Sequence, residues 1–178
     1  MRLWIARAGS AALSLFTFIS TPALGAAPLL AAEPVEVAAG AGEVEVLEDG
    51  RGQAIDLQVR FPPRRFTFLP RFVPEVAPIL GTIATTRGAI YAYAGLRLDL
   101  PLGRRFHFSP SFSGGLYHQG EGQDLGGPVE FRSVVELSYA LNERTRVGVS
   151  LDHLSNGGLF SSNPGSESLI FLVSSRLG

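Results

Sequence analysis

Period-two alternation of apolar and polar residues constrains this chain more than any other feature. In "AIDLQVRF", Ile55, Leu57, Val59 and Phe61 alternate with Asp56, Gln58 and Arg60. In "AIYAYAGLRLDL", Ile90, Ala92, Ala94, Leu96, Leu98 and Leu100 share one parity; Tyr91, Tyr93, Arg97 and Asp99 share the other. "RFHFSPSFS" sets Phe106, Phe108 and Phe112 against His107, Ser109 and Ser111, and "VEFRSVVELSY" sets Val129, Phe131, Val135, Leu137 and Tyr139 against Glu130, Arg132 and Glu136. Successive side chains on a strand point to opposite faces, so this pattern, bounded by Gly and Pro, predicts antiparallel β-structure. About eight strands are expected, near 42–48, 53–61, 65–77, 88–100, 104–117, 129–140, 144–155 and 166–177.

The two faces differ in kind. One is aliphatic and Phe; the other repeatedly carries Arg, Asp, Glu and His. An eight-stranded barrel has an interior just wide enough to be filled by side chains, and charges from several strands can pair there. The connections "EDGRG", "PPRR", "PLGRR" and "LNERT" read as short. "ILGTIATTR", "YHQGEGQDLGGP" and "NGGLFSSNPG" read as long. Short turns on one rim and longer loops on the other mark outer-membrane barrels. A soluble lipid-binding barrel with its apolar face inward fits the alternation too. The extent of the apolar face, the rim asymmetry and an export signal favour the membrane. The expectation is therefore an all-β, eight-stranded antiparallel transmembrane β-barrel with a filled interior and no pore.

The export signal is "MRLWIARAGSAALSLFTFISTPALGAAP". Arg2 and Arg7 precede a short apolar run, and Ala23-Leu24-Gly25 offers small residues for cleavage before Ala26. That run falls short of the roughly 20 residues a spanning helix needs. Residues 1–25 are thus expected to be a signal peptide, 26–40 a loosely ordered lead-in and 41–178 the barrel. The net charge of −1 provides no basic field for nucleic acid. Without cysteine there is no disulfide framework and no thiolate metal site. Neither a phosphate-cradling glycine loop nor zinc-ligand spacing occurs, so no cofactor or metal is expected.

Against this background the segment "DHLSNGGLFSSNPGSES" is unusual. His153 and Ser155 lie two residues apart on the otherwise apolar parity of the seventh expected strand. Glu167 has the apolar parity of the eighth. Antiparallel pairing across the loop would bring Glu167 beside His153. A serine hydroxyl needs a base to become a nucleophile, and the imidazole needs an acceptor to fix its tautomer. The loop adds oxyanion donors: backbone N–H groups near Gly157 and Gly158, and the amides of Asn156 and Asn163. An H-x-S on a strand is usually incidental. Here all three groups share the face where polar residues are otherwise absent, and they meet at one rim. A charge on the lipid face costs about 2–4 kcal/mol for Arg or Lys at mid-membrane, less for acids, and about 0–1 kcal/mol near the interface.

"HLSNGGLFSSNPGSE" resembles the H-x-S-N-x-G…N…G-x-E signature of the lipid A 3-O-deacylases, the PagL-type, acyloxyacyl hydrolase-like outer-membrane family. The resemblance implies His153 as base, Ser155 as nucleophile and Glu167 as orienting acid. It further implies Asn163 and the Gly158 backbone in the oxyanion hole, with Asn156 supporting. Two departures are Leu154, where an aromatic is familiar, and the ending "RLG" in place of a terminal aromatic. The expected function is an outer-membrane serine esterase that cleaves the 3-O-linked acyl chain of lipid A, its site facing the outer leaflet. Lipopolysaccharide is the expected partner, and pairing of two copies into a homodimer is left open. The alternative is a non-catalytic small barrel of structural or adhesin type.

Overall fold

The computed structural model describes residues 34–46, 52–67, 70 and 73–178. The expected signal at 1–25, and Phe68 and Phe72 of the third expected strand, lie outside the described residues. The strands are β1 (Val35–Val44), β2 (Gly52–Arg60), β3 (Ala77–Thr85), β4 (Ile90–Arg97), β5 (Leu100–Leu102), β6 (Phe106–His118), β7 (Val129–Ala140), β8 (Thr145–Ser155) and β9 (Ser166–Leu177). All neighbours pair antiparallel. β1 hydrogen-bonds to both β2 and β9, and β4 to both β3 and β6, so the sheet closes on itself. β5 continues the course of β4 beyond Leu98 and Asp99 and pairs with β6, so nine strands make eight staves. Closure leaves no sheet edge, which a barrel in hydrocarbon requires.

The apolar parity faces outward. Ile55, Leu57, Phe112, Leu151, Phe171 and Val173 are exposed, whereas Asp56, Arg60, Arg97, Arg132, Glu136 and Asp152 are buried. Inside, two ion clusters form. Arg60 meets Glu36 at 2.8 Å and Glu136 at 2.7 Å, and Arg97 meets Glu136 at 3.0 Å. Arg132 meets Asp56 at 2.7 Å, pairs with Asp152, and stacks over the Tyr93 ring at 4.7 Å. The Tyr93 hydroxyl donates to Asp56 at 2.8 Å. Gly81 makes room for that tyrosine, since a Cβ there would fall 2.4 Å from its ring. Such a network fixes register: slipping any strand by one residue would drive these charges into lipid.

Two expectations need correction. β1 begins at Val35, inside the stretch 26–40 read as a lead-in. Its Ala- and Gly-rich sequence has weak β-propensity, and the strand is held by pairing on both sides and by buried Glu36. The third strand was expected at 65–77 and a long loop at 79–87. Instead β2 ends at Arg60 and β3 occupies Ala77–Thr85, and among the described residues between them Arg64 and Val76 form an isolated bridge. Pro62, Pro63, Pro70 and Pro74 remove ladder donors from the expected strand. In the true strand Ile79 and Ile83 are buried while Leu80 faces out, so period two leaves no polar signal. The β3–β4 connection at 86–89 is consequently short, and a long connection lies on the rim of tight turns.

Candidate active site

β8 ends at Ser155 and β9 begins at Ser166, joined by residues 156–165. Their ladder places His153 opposite Glu167. Both side chains take the outward parity, and His153 Nδ1 lies 3.0 Å from Glu167 Oε1. The imidazole is about half exposed, at 51 %, and the carboxylate 27 %. Glu167 has only acceptors when ionised, so the ring proton belongs on Nδ1, leaving the Nε2 lone pair for an incoming proton. Ser155 follows two positions along the same face. At a rise of about 3.3 Å per residue, its Cα lies about 6.6 Å from that of His153, within reach for two side chains on one face.

The neighbours of these residues set their direction. Asp152 turns inward to Arg132, and Leu154 packs inward against the cluster containing Val44, Ile83, Tyr91 and Ile170. Alternation then fixes His153 and Ser155 outward. Gly165, at φ +76°, passes beside the imidazole; a Cβ there would sit 3.1 Å from His153 Cε1. An interior cavity of about 40 Å³ lies on the far side of β8, lined by Asp152, Leu154, Ser166 and Ser168. That cavity faces away from His153, so a substrate must approach from the outer wall.

The loop is organised by Asn156, which is fully buried. Its Nδ2 donates to the carbonyls of Leu125 and Ser162, both at 2.7 Å. Its Oδ1 accepts the Gly158 N–H at 2.9 Å, and its own N–H donates to Asn163 Oδ1 at 2.9 Å. Both amide hydrogens of Asn156 are therefore engaged, one tying loop 156–165 to loop 119–128 and the other bracing loop 156–165 internally. In this arrangement they already have carbonyl acceptors. The Gly158 N–H points to Asn156 Oδ1 and would have to be shared. Asn163 is exposed, and its NH2 is the end left over after its oxygen accepts.

Sequence reasoning did not identify the lateral wall of the site. Phe131 pairs with Ser155, and Ser133, an exposed residue on the outer face, pairs with His153. Phe112 stacks on Phe131 at 5.9 Å. The outward parity of Phe131 was readable, but its place beside Ser155 requires the β7–β8 register. Among the described residues no group of three or more His, Cys, Asp or Glu is arranged to hold a metal.

An apolar outer wall, an ion-paired interior and a coupled imidazole and carboxylate on that wall define the class: an outer-membrane β-barrel enzyme. The model of the family described as lipid A 3-O-deacylase (PagL) matches residues 87–176, half of the chain. The chain belongs to the lipid A 3-O-deacylase (PagL) family. No curated protein matches it. Among solved structures, the outer membrane enzyme PagL superposes with a TM-score of 0.60 at 16% identity, covering 80% of this chain and 99% of that one. A de novo designed transmembrane β-barrel gives 0.53 at 7% identity, covering 82% and 96%. Neisserial surface protein A gives 0.51 at 14% identity, covering 81% and 96%. At these identities the superpositions speak for the fold; the family match makes the chain a lipid A deacylase-type enzyme of the outer membrane.

Proposed function

We propose that this chain hydrolyses the 3-O-linked acyl ester of lipid A through Ser155, His153 and Glu167. Ser155 Oγ attacks the ester carbonyl carbon while His153 Nε2 takes its proton. Glu167 accepts the Nδ1–H bond, holds the tautomer and stabilises the imidazolium. The tetrahedral oxyanion is met by the Asn163 NH2, with the Gly158 N–H shared from Asn156. Collapse breaks the ester C–O bond, and His153 returns the proton to the departing sugar oxygen. Water, deprotonated by His153, then releases a 3-hydroxy fatty acid from the acyl-serine.

The observation that carries this reading is the 3.0 Å contact between His153 and Glu167 on the lipid-facing wall. A half-exposed imidazole there would be better replaced by an aliphatic residue if only stability mattered. The same contact weighs against the structural or adhesin reading. All the proposed residues come from β8, β9 and their connecting loop in one copy, so the chemistry does not call for a homodimer. We place the site at the outer leaflet, after export directed by residues 1–25. The connections 119–128 and 156–165 lie on its rim with the short turn 86–89, and the tight turns 103–105 and 141–144 lie on the other with the long β2–β3 connection. The test is mass spectrometry of lipid A from cells expressing the wild type or Ser155→Ala. Loss of one 3-hydroxyacyl mass with the wild type only is expected; identical lipid A in both rejects the proposal.

A further inference from the structure

The rim opposite the candidate site gathers arginines that the proposed reaction does not use. The β5–β6 turn carries Arg104 and Arg105, the β7–β8 turn carries Arg144, and Arg146 opens β8. Between the two turns lies an open cleft of about 320 Å³, lined by Arg104, Arg105, His107, Arg146, Asn142 and Glu143. Its floor is already matched in charge: Asp99 meets Arg146 at 2.8 Å and His107 at 3.2 Å. Its mouth is not. Arg104 is exposed and, among the described residues, its side chain makes no hydrogen bond or ion pair; Arg144, outside the cleft lining, is exposed on the neighbouring turn. Asn142 Oδ1 accepts the N–H groups of Arg144 and Thr145, leaving its NH2 as a further donor.

Arg105 connects this mouth to the lipid-facing wall. Its Nη1 donates to the Tyr139 hydroxyl at 3.1 Å, and its guanidinium lies 5.8 Å over the Tyr139 ring. Tyr139 has outward parity, and Phe106 packs edge-on against it at 5.1 Å. An aromatic pair at a barrel rim marks the level where hydrocarbon gives way to headgroups. Arg105 is therefore held at headgroup depth, beside a wall that continues down through Leu137.

The geometry points to a binding site for the phosphodiester headgroup of an anionic phospholipid, with its acyl chains running along Phe106, Tyr139 and Leu137. Guanidinium forks match phosphate oxygens in pairs, which an ammonium does not. A lipid suits the cleft better than a free ion. The charge deep in the cleft is neutralised by Asp99, while the excess of cation lies at the mouth, where Arg104 and Arg105 outnumber Glu143 and Arg105 is fixed to the apolar wall. The other rim carries exposed Glu121 and Asp124, so such a lipid is directed to this end of the barrel. The inference stands on the barrel and its rim and does not need the deacylase reading.

The experiment uses the full folded chain in neutral detergent, followed by native mass spectrometry with phosphatidylglycerol or uncharged diacylglycerol. Heat-modifiable gel mobility confirms folding of every variant. Retention of phosphatidylglycerol over diacylglycerol is expected, weakened about tenfold in Arg104→Gln/Arg105→Gln and less in Arg104→Gln alone. Arg104 has no partner to lose, so the single variant separates binding from folding. Equal retention of both lipids, or undiminished retention by both variants, overturns the proposal. Displacement of phosphatidylglycerol by inorganic phosphate alone assigns the cleft to a free ion and overturns it as well.

Discussion

Asn156 Nδ2 donates to the Leu125 carbonyl at 2.7 Å, joining loops 119–128 and 156–165 of the site rim through a fully buried amide. The residue directly after Ser155 is thus the anchor of the loop that would hold the oxyanion. Asn156→Ala removes the partner of the Ser162 carbonyl and the Gly158 N–H, both on exposed residues, and strands the carbonyl of buried Leu125, at about 1–3 kcal/mol for that buried group. The closed ladder should survive, so heat-modifiable mobility stays near wild type. Deacylation in mixed micelles should fall about a hundredfold through misplacement of the loop. Unchanged turnover would mean that Asn156 does not position the site.

Glu167→Gln preserves shape but replaces an acceptor with an amide that can donate to His153 Nδ1. The proton then shifts to Nε2, the wrong tautomer to receive a proton from Ser155. Loss of the acid in a buried triad costs about 10⁴-fold in kcat. Glu167 and His153 are partly exposed, so water screens the effect and about 10²-fold is expected. The loss should appear in kcat, with KM little changed, in steady-state assays on purified lipid A.

Gly165→Ala introduces a Cβ at a left-handed backbone position, about 1–2 kcal/mol unfavourable, and crowds the imidazole edge. A fall in kcat/KM of about tenfold or more is expected with the barrel still folded. Normal kinetics in this variant would show that the imidazole does not sit where the loop now confines it.

Arg132 holds Asp56 and Asp152 inside the barrel, and Asp152 is the residue before His153. Arg132→Met leaves two buried carboxylates short of their cation, a loss of about 3–5 kcal/mol. Arg132→Met/Asp152→Leu should recover part of it, since one of the two carboxylates is gone and Asp56 retains the Tyr93 hydroxyl and the Gln58 amide. Urea titration followed by gel mobility reads both. Equal destabilisation of the single and double variants would contradict the ion-pair account.

The faces of the barrel were legible because Ile55, Leu57 and Val59 alternate with Asp56 and Arg60, and one parity is unsuited to lipid. The pairing of Glu167 with His153 was legible for the same reason: parity and an antiparallel join leave few registers. β3 was hidden because small and apolar residues occupy both of its faces, while Phe66 and its prolines imitated a strand next door. The start of β1 was hidden among alanines and glycines that act only through their neighbours. The role of Asn156 could not be read either. A turn-rich string such as "SNGGLFSSNPG" names donors and acceptors without saying which meet, and the Leu125 carbonyl lies on a different loop.

The most direct test of the central claim is active-site labelling with a lipophilic fluorophosphonate, followed by peptide mapping of the folded protein. The account predicts a single adduct on Ser155 that is lost in Ser155→Ala and strongly slowed in His153→Ala. An adduct on another residue, no adduct in an active preparation, or labelling of Ser155 at full rate without His153 would contradict it.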